Sequence, residues 1–159
     1  MVLTGILFAV ALTLSFFESM IPTAGFLPPG VKLGLSNIVT MYAVFTVGAS
    51  TAVSIVVLKS CFVFITRGII ASALSLSGGL LSILVMILLS KIFNKNKNYL
   101  IISIFGAICH NIGQITAASI IISSKLIYTL PVLVISGVVM GIITGIILKT
   151  VMPYINKLR

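Results

Sequence analysis

Few side chains in this sequence could do chemistry, and most of them lie within long apolar runs. Its 159 residues include one acid, Glu18, and one histidine, His110. His110 and Gln114 are four residues apart, so on a helix they share one face. An ionisable group inside a membrane is costly unless it lines a cavity or finds a partner, so such residues are functional candidates by default. The pattern favours binding of a polar ligand over catalysis.

Charged residues extend this candidate site. The outer half of the bundle is expected to gather these costly residues. Glu18 ends the first apolar run, Lys32 precedes the second, Lys59 lies midway along the third and Arg67 follows its end; the middle of the fifth run adds His110, Asn111 and Gln114. One acid cannot neutralise three basic groups, so the surplus positive charge favours an anionic group on the ligand. Two structural alternatives stay open. Glu18 could form an ion pair with Lys59 or Lys32 that only locks the bundle. His110, Asn111 and Gln114 could make interhelical hydrogen bonds.

A segment rich in proline and glycine precedes the second apolar run. Pro28-Pro-Gly-Val-Lys-Leu-Gly-Leu-Ser-Asn37 indicates a broken helix entry that positions backbone groups at a site, as Gly/Pro-interrupted spans do in transporters. An ordinary tight turn is the alternative. The GxxxxGK[ST] spacing of a phosphate-binding loop is absent. A lone histidine without aspartate is a poor metal site, and we predict no metal and no cofactor.

The elements that must position these residues are membrane-spanning helices. The chain is 60% hydrophobic and 7% charged, whereas soluble domains carry about 25% charged residues. Its apolar runs are long enough to span a bilayer as helices and lack the alternation of barrel strands. We predict an all-α integral membrane bundle of about six transmembrane helices, forming one domain over residues 1–159 and ending in a short basic tail from Pro153. The runs are 2–21, 33–48, 51–66, 70–90, 99–123 and 130–151.

The distribution of basic residues predicts the orientation of the bundle. The positive-inside rule places both termini in the cytoplasm. With six predicted spans, we expect a multi-pass protein of the cell membrane. The cytoplasmic side then receives Lys91, Lys95, Lys97, Lys149, Lys157 and Arg159, and the opposite side Lys32, Arg67 and Lys125. The net charge of +9 does not indicate nucleic-acid binding, because the basic residues do not cluster on a polar face. The lipid bilayer is the expected bulk partner.

Small residues form stripes on two predicted helices. Gly137, Gly141 and Gly145 follow one another at intervals of four in the sixth helix, and Gly5 and Ala9 do so in the first. Small stripes let helices approach closely. For the sixth helix we expect packing within this chain, with docking onto a partner membrane protein as the alternative.

The order of these features resembles a known family. Glu18 with Pro22 is followed by Pro29-Gly-Val-Lys-Leu-Gly-Leu-Ser-Asn37, Gly78-Gly-Leu-Leu-Ser with Met86, Gly106-Ala-x-x-His-Asn-x-Gly-Gln114 and Leu130-Pro-Val-Leu-x-x-Ser-Gly137. Together they are similar to the Gx transporter family, which is also labelled heptaprenyl diphosphate synthase component I. The resemblance covers nearly the whole chain.

This resemblance implies a fold like the substrate-binding (S) components of energy-coupling factor (ECF) transporters. Those subunits bind a nutrient from outside, under a first-loop lid, and work with a transmembrane coupling subunit and two ATPase subunits. It implies a ligand such as a flavin, quinone or isoprenoid precursor, a lid at residues 22–30, and a coupling-subunit contact at Gly5 and Ala9. The ligand contacts implied are Lys32, Asn37, His110, Asn111 and Gln114.

The synthase label implies a different class of function. Prenyl diphosphate synthases hold magnesium and diphosphate with aspartate-rich clusters, because hard cations need several oxygen ligands. One acid in the whole chain cannot supply them, so we expect that the chain is not itself an enzyme. The alternative to an importer subunit is a non-catalytic membrane scaffold or accessory subunit of a polyprenyl (heptaprenyl) diphosphate synthase or membrane redox complex. A channel is disfavoured, because no ring of repeated polar residues lines a pore.

Overall fold

The computed structural model describes residues 2–20, 34–93 and 98–157, and nearly all of them are helical. No strand occurs within these ranges, which confirms the all-α prediction. The α-helices are α1 (Val2–Met20), α2 (Asn37–Thr46), α3 (Ala49–Arg67), α4 (Ile69–Ile92), α5 (Tyr99–Ile121) and α6 (Leu130–Lys157), with a short 3₁₀ helix at Ser124–Thr129.

Four of these helices, α3 to α6, are long and apolar enough to cross a membrane. The apolar stretch of α1, Val2–Glu18, and the whole of α2, Asn37–Thr46, are shorter. At 1.5 Å per residue, α2 covers about 15 Å, half of a hydrocarbon core of about 30 Å. The described ranges contain six α-helices, as predicted, and four of them are long enough to span a membrane. The second helix, however, is shorter than the apolar run 33–48 suggested, and it is too short to span the bilayer alone.

Glycines with positive φ make two very short connections. Gly48 (φ 130°) separates α2 from α3, and Gly68 (φ 87°) separates α3 from α4. This backbone region is open to glycine at little cost. The N–H of Gly48 donates to the Ala43 carbonyl over 2.9 Å, a bond typical of glycine-ended helices. The turn at Gly68 brings Arg67, the last residue of α3, next to the start of α4.

The last helix does not end where the sequence suggested. The prediction placed a tail from Pro153, but α6 continues as a helix to Lys157. Proline removes one helical hydrogen bond, and helices of membrane proteins tolerate this loss because neighbouring groups satisfy the freed backbone.

The centre of the bundle is α5, which packs against α4 on one side and α6 on the other. The α6 glycines face the α5 backbone: a Cβ added to Gly141 would lie 2.5 Å from Ile104 Cα, and Gly137 and Gly145 meet the same helix one turn away on either side. This small-residue stripe therefore allows two helices of this chain to touch.

Candidate functional site

A small polar cavity lies at the end of the bundle where α3 turns into α4. Its volume is about 10 Å³, which is room for one water molecule or for one ligand atom of similar size. Residues of α1, of the turn before α2, and of α3, α4 and α5 line it: Glu18, Ser36, Lys59, Val63, Arg67, Ala71, Ser75, His110 and Gln114. We call it the polar cavity.

Helical periodicity brings these residues together. Side chains four positions apart lie on one face of a helix, and three helices turn such a face to the polar cavity. They contribute Lys59, Val63 and Arg67 from α3, Ala71 and Ser75 from α4, and His110 and Gln114 from α5.

A glycine contact fixes where α5 presents its polar pair. A Cβ added to Gly78 of α4 would lie 2.7 Å from the His110 carbonyl oxygen and 2.8 Å from Gln114 Cγ. A Cβ added to Gly113 would in turn lie 2.9 Å from Gly78 Cα. Because any larger residue would push the helices apart, the Gly78–Gly113 contact sets the position of His110 and Gln114.

Glu18 is buried and holds the turn that leads into α2. One carboxylate oxygen accepts hydrogen bonds from the backbone N–H groups of Gly34 and Leu35. Gly34 has a positive φ of 93°, and its carbonyl accepts the N–H of Asn37, the first residue of α2, over 2.9 Å. The single acid of the chain is thus committed to backbone donors, and it joins α1 to the start of α2.

Lys59 is the buried cation of the polar cavity. Only 4% of its surface is exposed, and its Nζ donates to Ser36 Oγ over 2.7 Å. Glu18, which carries the opposite charge, lines the same cavity. Arg67 lies two turns further along α3, is exposed, and also lines the cavity. The described lining therefore contains one carboxylate and two cationic side chains.

His110 and Gln114 form one polar unit. The amide nitrogen of Gln114 lies 2.7 Å from His110 Nε2, and both side chains are buried. Asn111 is adjacent in sequence but faces α6, where its Nδ2 donates to the Leu133 carbonyl over 2.7 Å and to Ser136 Oγ over 3.2 Å. His110 and Gln114 thus line a cavity, as the ligand-site interpretation predicted. Asn111, which we expected at the ligand, instead makes the interhelical hydrogen bonds of the alternative interpretation.

Among the remaining predicted site residues, those that the structure describes do not line the polar cavity. Lys32 and the predicted lid at residues 22–30 lie outside the described residues. Asn37 is buried beside Gly34 but is not among the cavity's lining residues. Gly5 and Ala9 lie on the exposed face of α1, and a Cβ on Gly5 would meet nothing within 4 Å.

Two serines of the polar cavity were missed by the sequence analysis. Ser36 accepts from Lys59, and it stood next to Asn37 in a segment already singled out. Ser75 is 7% exposed, and its Oγ has no hydrogen-bond partner in the described part of the chain. Nothing in the sequence distinguishes Ser75 from the other serines of α4, because which of them faces α3 and α5 depends on the packing.

A second space in the bundle has different chemistry. It is an open groove of about 280 Å³ between α1, α2 and α6, and apart from the Tyr42 hydroxyl its lining is aliphatic or aromatic. The lining consists of Leu3, Leu7, Ile38, Val39, Tyr42, Ile147, Leu148 and Val151. We call it the apolar groove.

Metal-binding clusters are absent from the described ranges, where no group of three His, Cys, Asp or Glu side chains comes together.

Comparison with known proteins gives one result. A sequence model of the family described as heptaprenyl diphosphate synthase component I matches residues 7–151. No curated protein and no solved structure matches the chain.

Proposed function

Because the chain belongs to the heptaprenyl diphosphate synthase component I family, we propose that it is a non-catalytic membrane subunit that binds a small molecule in the polar cavity, as the S component of an ECF-type importer does. One observation carries this proposal: buried polar side chains from five segments of the chain converge on one cavity. A bundle held together only by packing does not need this arrangement.

The lining of the polar cavity supports binding over simple cohesion. Burying an unpartnered hydroxyl costs free energy, yet the Ser75 hydroxyl faces the cavity without a partner among the described residues. Buried ionisable groups in membrane proteins commonly mark ligand or ion pathways. Lys59 and Glu18 are both of this kind. Ligand binding explains why these costs are concentrated at one place.

The importer role assigns further parts to the chain and its partners. The ligand enters from the extracytoplasmic side of the cell membrane, where the positive-inside rule places Arg67. It is a nutrient or cofactor precursor, of the flavin, quinone or isoprenoid type. Partner subunits hydrolyse ATP, and the exposed Gly5–Ala9 face of α1 contacts the coupling subunit.

A second candidate function follows from the family description. The chain would then be an accessory membrane subunit of a heptaprenyl diphosphate synthase, supporting a catalytic partner. Affinity purification from native membranes separates the two functions. Coupling and ATPase subunits in the eluate support the importer, and a prenyl synthase supports the accessory role.

We expect His110→Ala to weaken ligand binding by about tenfold or more, since a buried hydrogen bond is worth about 1–1.5 kcal/mol and 1.4 kcal/mol is tenfold in affinity. Mass spectrometry of the purified protein identifies the co-purifying compound, and equilibrium binding of that compound gives the affinity. Thr116→Ala is the matched control on the same helix, because Thr116 is exposed and bonds only within α5, to the Ile112 carbonyl. Unchanged affinity in both His110→Ala and Gln114→Ala would reject this site.

A further inference from the structure

The charges and donors of the polar cavity indicate which part of a ligand it holds. We propose that it receives one anionic group, which is either the terminal oxygen of a carboxylate or phosphate whose remainder stays outside the cavity, or a free ion of halide size. This inference rests on the proposed binding function and specifies its substrate class.

The positive side chains that line the cavity outnumber the negative ones. The lining contains one acid, and that acid already accepts two backbone N–H groups, from Gly34 and Leu35. Two cationic side chains, Lys59 and Arg67, line the same cavity. A buried ammonium is costly unless its charge is compensated. An anion in the cavity would supply the compensation that Glu18 provides only in part.

The lining of the cavity also offers hydrogen-bond donors. An ammonium group carries three donors, and Ser36 accepts one from Lys59. The hydroxyl of Ser75 is 7% exposed and unpartnered within the described ranges, and it belongs to the cavity lining. The Lys59 ammonium and the Ser75 hydroxyl can therefore donate further hydrogen bonds. A carboxylate or phosphate oxygen, or a halide ion, can only accept hydrogen bonds and would match these donors.

The size of the cavity limits what can enter it. A cavity of about 10 Å³ has room for one water-sized group. A whole vitamin or prenyl diphosphate does not fit, but one terminal oxygen or a small ion does. The cavity therefore acts as the end of a binding site and fixes the ligand by its charged terminus.

The two cations also define a direction of entry. Lys59 and Arg67 are eight residues apart on one face of α3, which is about 12 Å along the helix axis. Lys59 is buried and Arg67 is exposed. Positive charges of this kind attract an anion from solvent, so Arg67 marks the opening of the cavity and Lys59 its inner end.

A purely structural role for Lys59 gives different expectations. If the Lys59–Ser36 bond only holds α3 against the start of α2, then replacing Lys59 lowers stability, but no anion changes the outcome. Arg67 is exposed, so its replacement leaves the fold intact and provides an independent test.

The experiment measures anion-dependent stabilisation of the full chain in zwitterionic phosphatidylcholine nanodiscs. Sodium chloride, sodium acetate and sodium phosphate are titrated separately, and the midpoint of thermal unfolding is recorded. We expect a saturable rise with at least one salt, since a ligand that binds only the folded state stabilises it. The salt that raises the unfolding midpoint identifies the bound anionic group as a halide, a carboxylate or a phosphate. Lys59→Met should abolish the rise. Arg67→Gln should weaken the apparent affinity by about tenfold, because a positive charge that raises the local concentration of anions at the opening is lost. Lys149→Gln removes an exposed cation of α6 that does not line the cavity and should leave the rise unchanged.

Failure of this inference can be told apart from failure of the binding function. Anion stabilisation that is equal in wild type, Lys59→Met and Arg67→Gln overturns the anionic terminus. So does a co-purified compound that carries no negative charge but loses affinity in His110→Ala, and in that case the binding function stands. If no compound depends on His110 or Gln114, the binding function itself fails.

Discussion

Replacement of Glu18 with alanine is expected to lower the free energy of unfolding by about 3 kcal/mol, because two backbone donors lose a charged acceptor and each unsatisfied buried group costs about 1–3 kcal/mol. The groups concerned are the N–H groups of Gly34 and Leu35. Chemical denaturation in mild detergent measures the loss. Hydrogen exchange at the same two amides should accelerate, since they are no longer held.

Two further variants separate the carboxylate's roles. Glu18→Gln keeps an oxygen acceptor but removes the charge, and it should cost less than Glu18→Ala. Adding Lys59→Met to Glu18→Gln should recover part of the loss, because the buried ammonium that Glu18 compensates is then removed. If Glu18→Ala unfolds within about 0.5 kcal/mol of wild type, the scatter of ordinary surface substitutions, Glu18 does not hold the entry to α2.

Gly141→Ala is expected to destabilise the bundle by about 3 kcal/mol, at the upper end of the usual cost of overpacking. The added Cβ would lie 2.5 Å from Ile104 Cα and 3.0 Å from Ile104 N. These are backbone atoms, so no side-chain rotation can relieve the clash, and α5 and α6 must separate. Thermal unfolding of the purified variant measures the effect.

The matched control is the same substitution on the other small-residue stripe. A Cβ at Gly5 would meet nothing within 4 Å, and alanine has the higher helix propensity by about 1 kcal/mol. Gly5→Ala should therefore be neutral or slightly stabilising in the isolated chain. Equal effects of Gly141→Ala and Gly5→Ala would contradict the packing of α6 on α5.

The two small-residue stripes look alike in the sequence, but they have different surroundings in the fold. Both have a small residue at every fourth position, which predicts a close helix contact but does not name the neighbour. In the folded chain Gly141 touches α5, whereas a Cβ at Gly5 would meet no atom of the described residues within 4 Å. Only the packing of the whole bundle distinguishes an internal contact from a free face.

The polar residues of α5 could likewise be predicted only in part from their spacing. Their spacing correctly grouped His110 with Gln114, because positions four apart share a face. Asn111 lies one position on, about 100° around the helix at 3.6 residues per turn, and it meets α6 instead. The number and order of helices could be predicted from the apolar runs. The short length of α2 could not, because Gly34 and Gly48 adopt positive φ at positions that the hydropathy of the run 33–48 does not reveal.

An experimental structure of the purified protein with its co-purified ligand tests the binding site most directly. We predict ligand density at the polar cavity, with a terminal atom within hydrogen-bonding distance of Lys59 and Ser75, and with His110 and Gln114 beside it. Ligand density confined to the apolar groove between α1, α2 and α6, with no ligand atom in the polar cavity, would contradict the account.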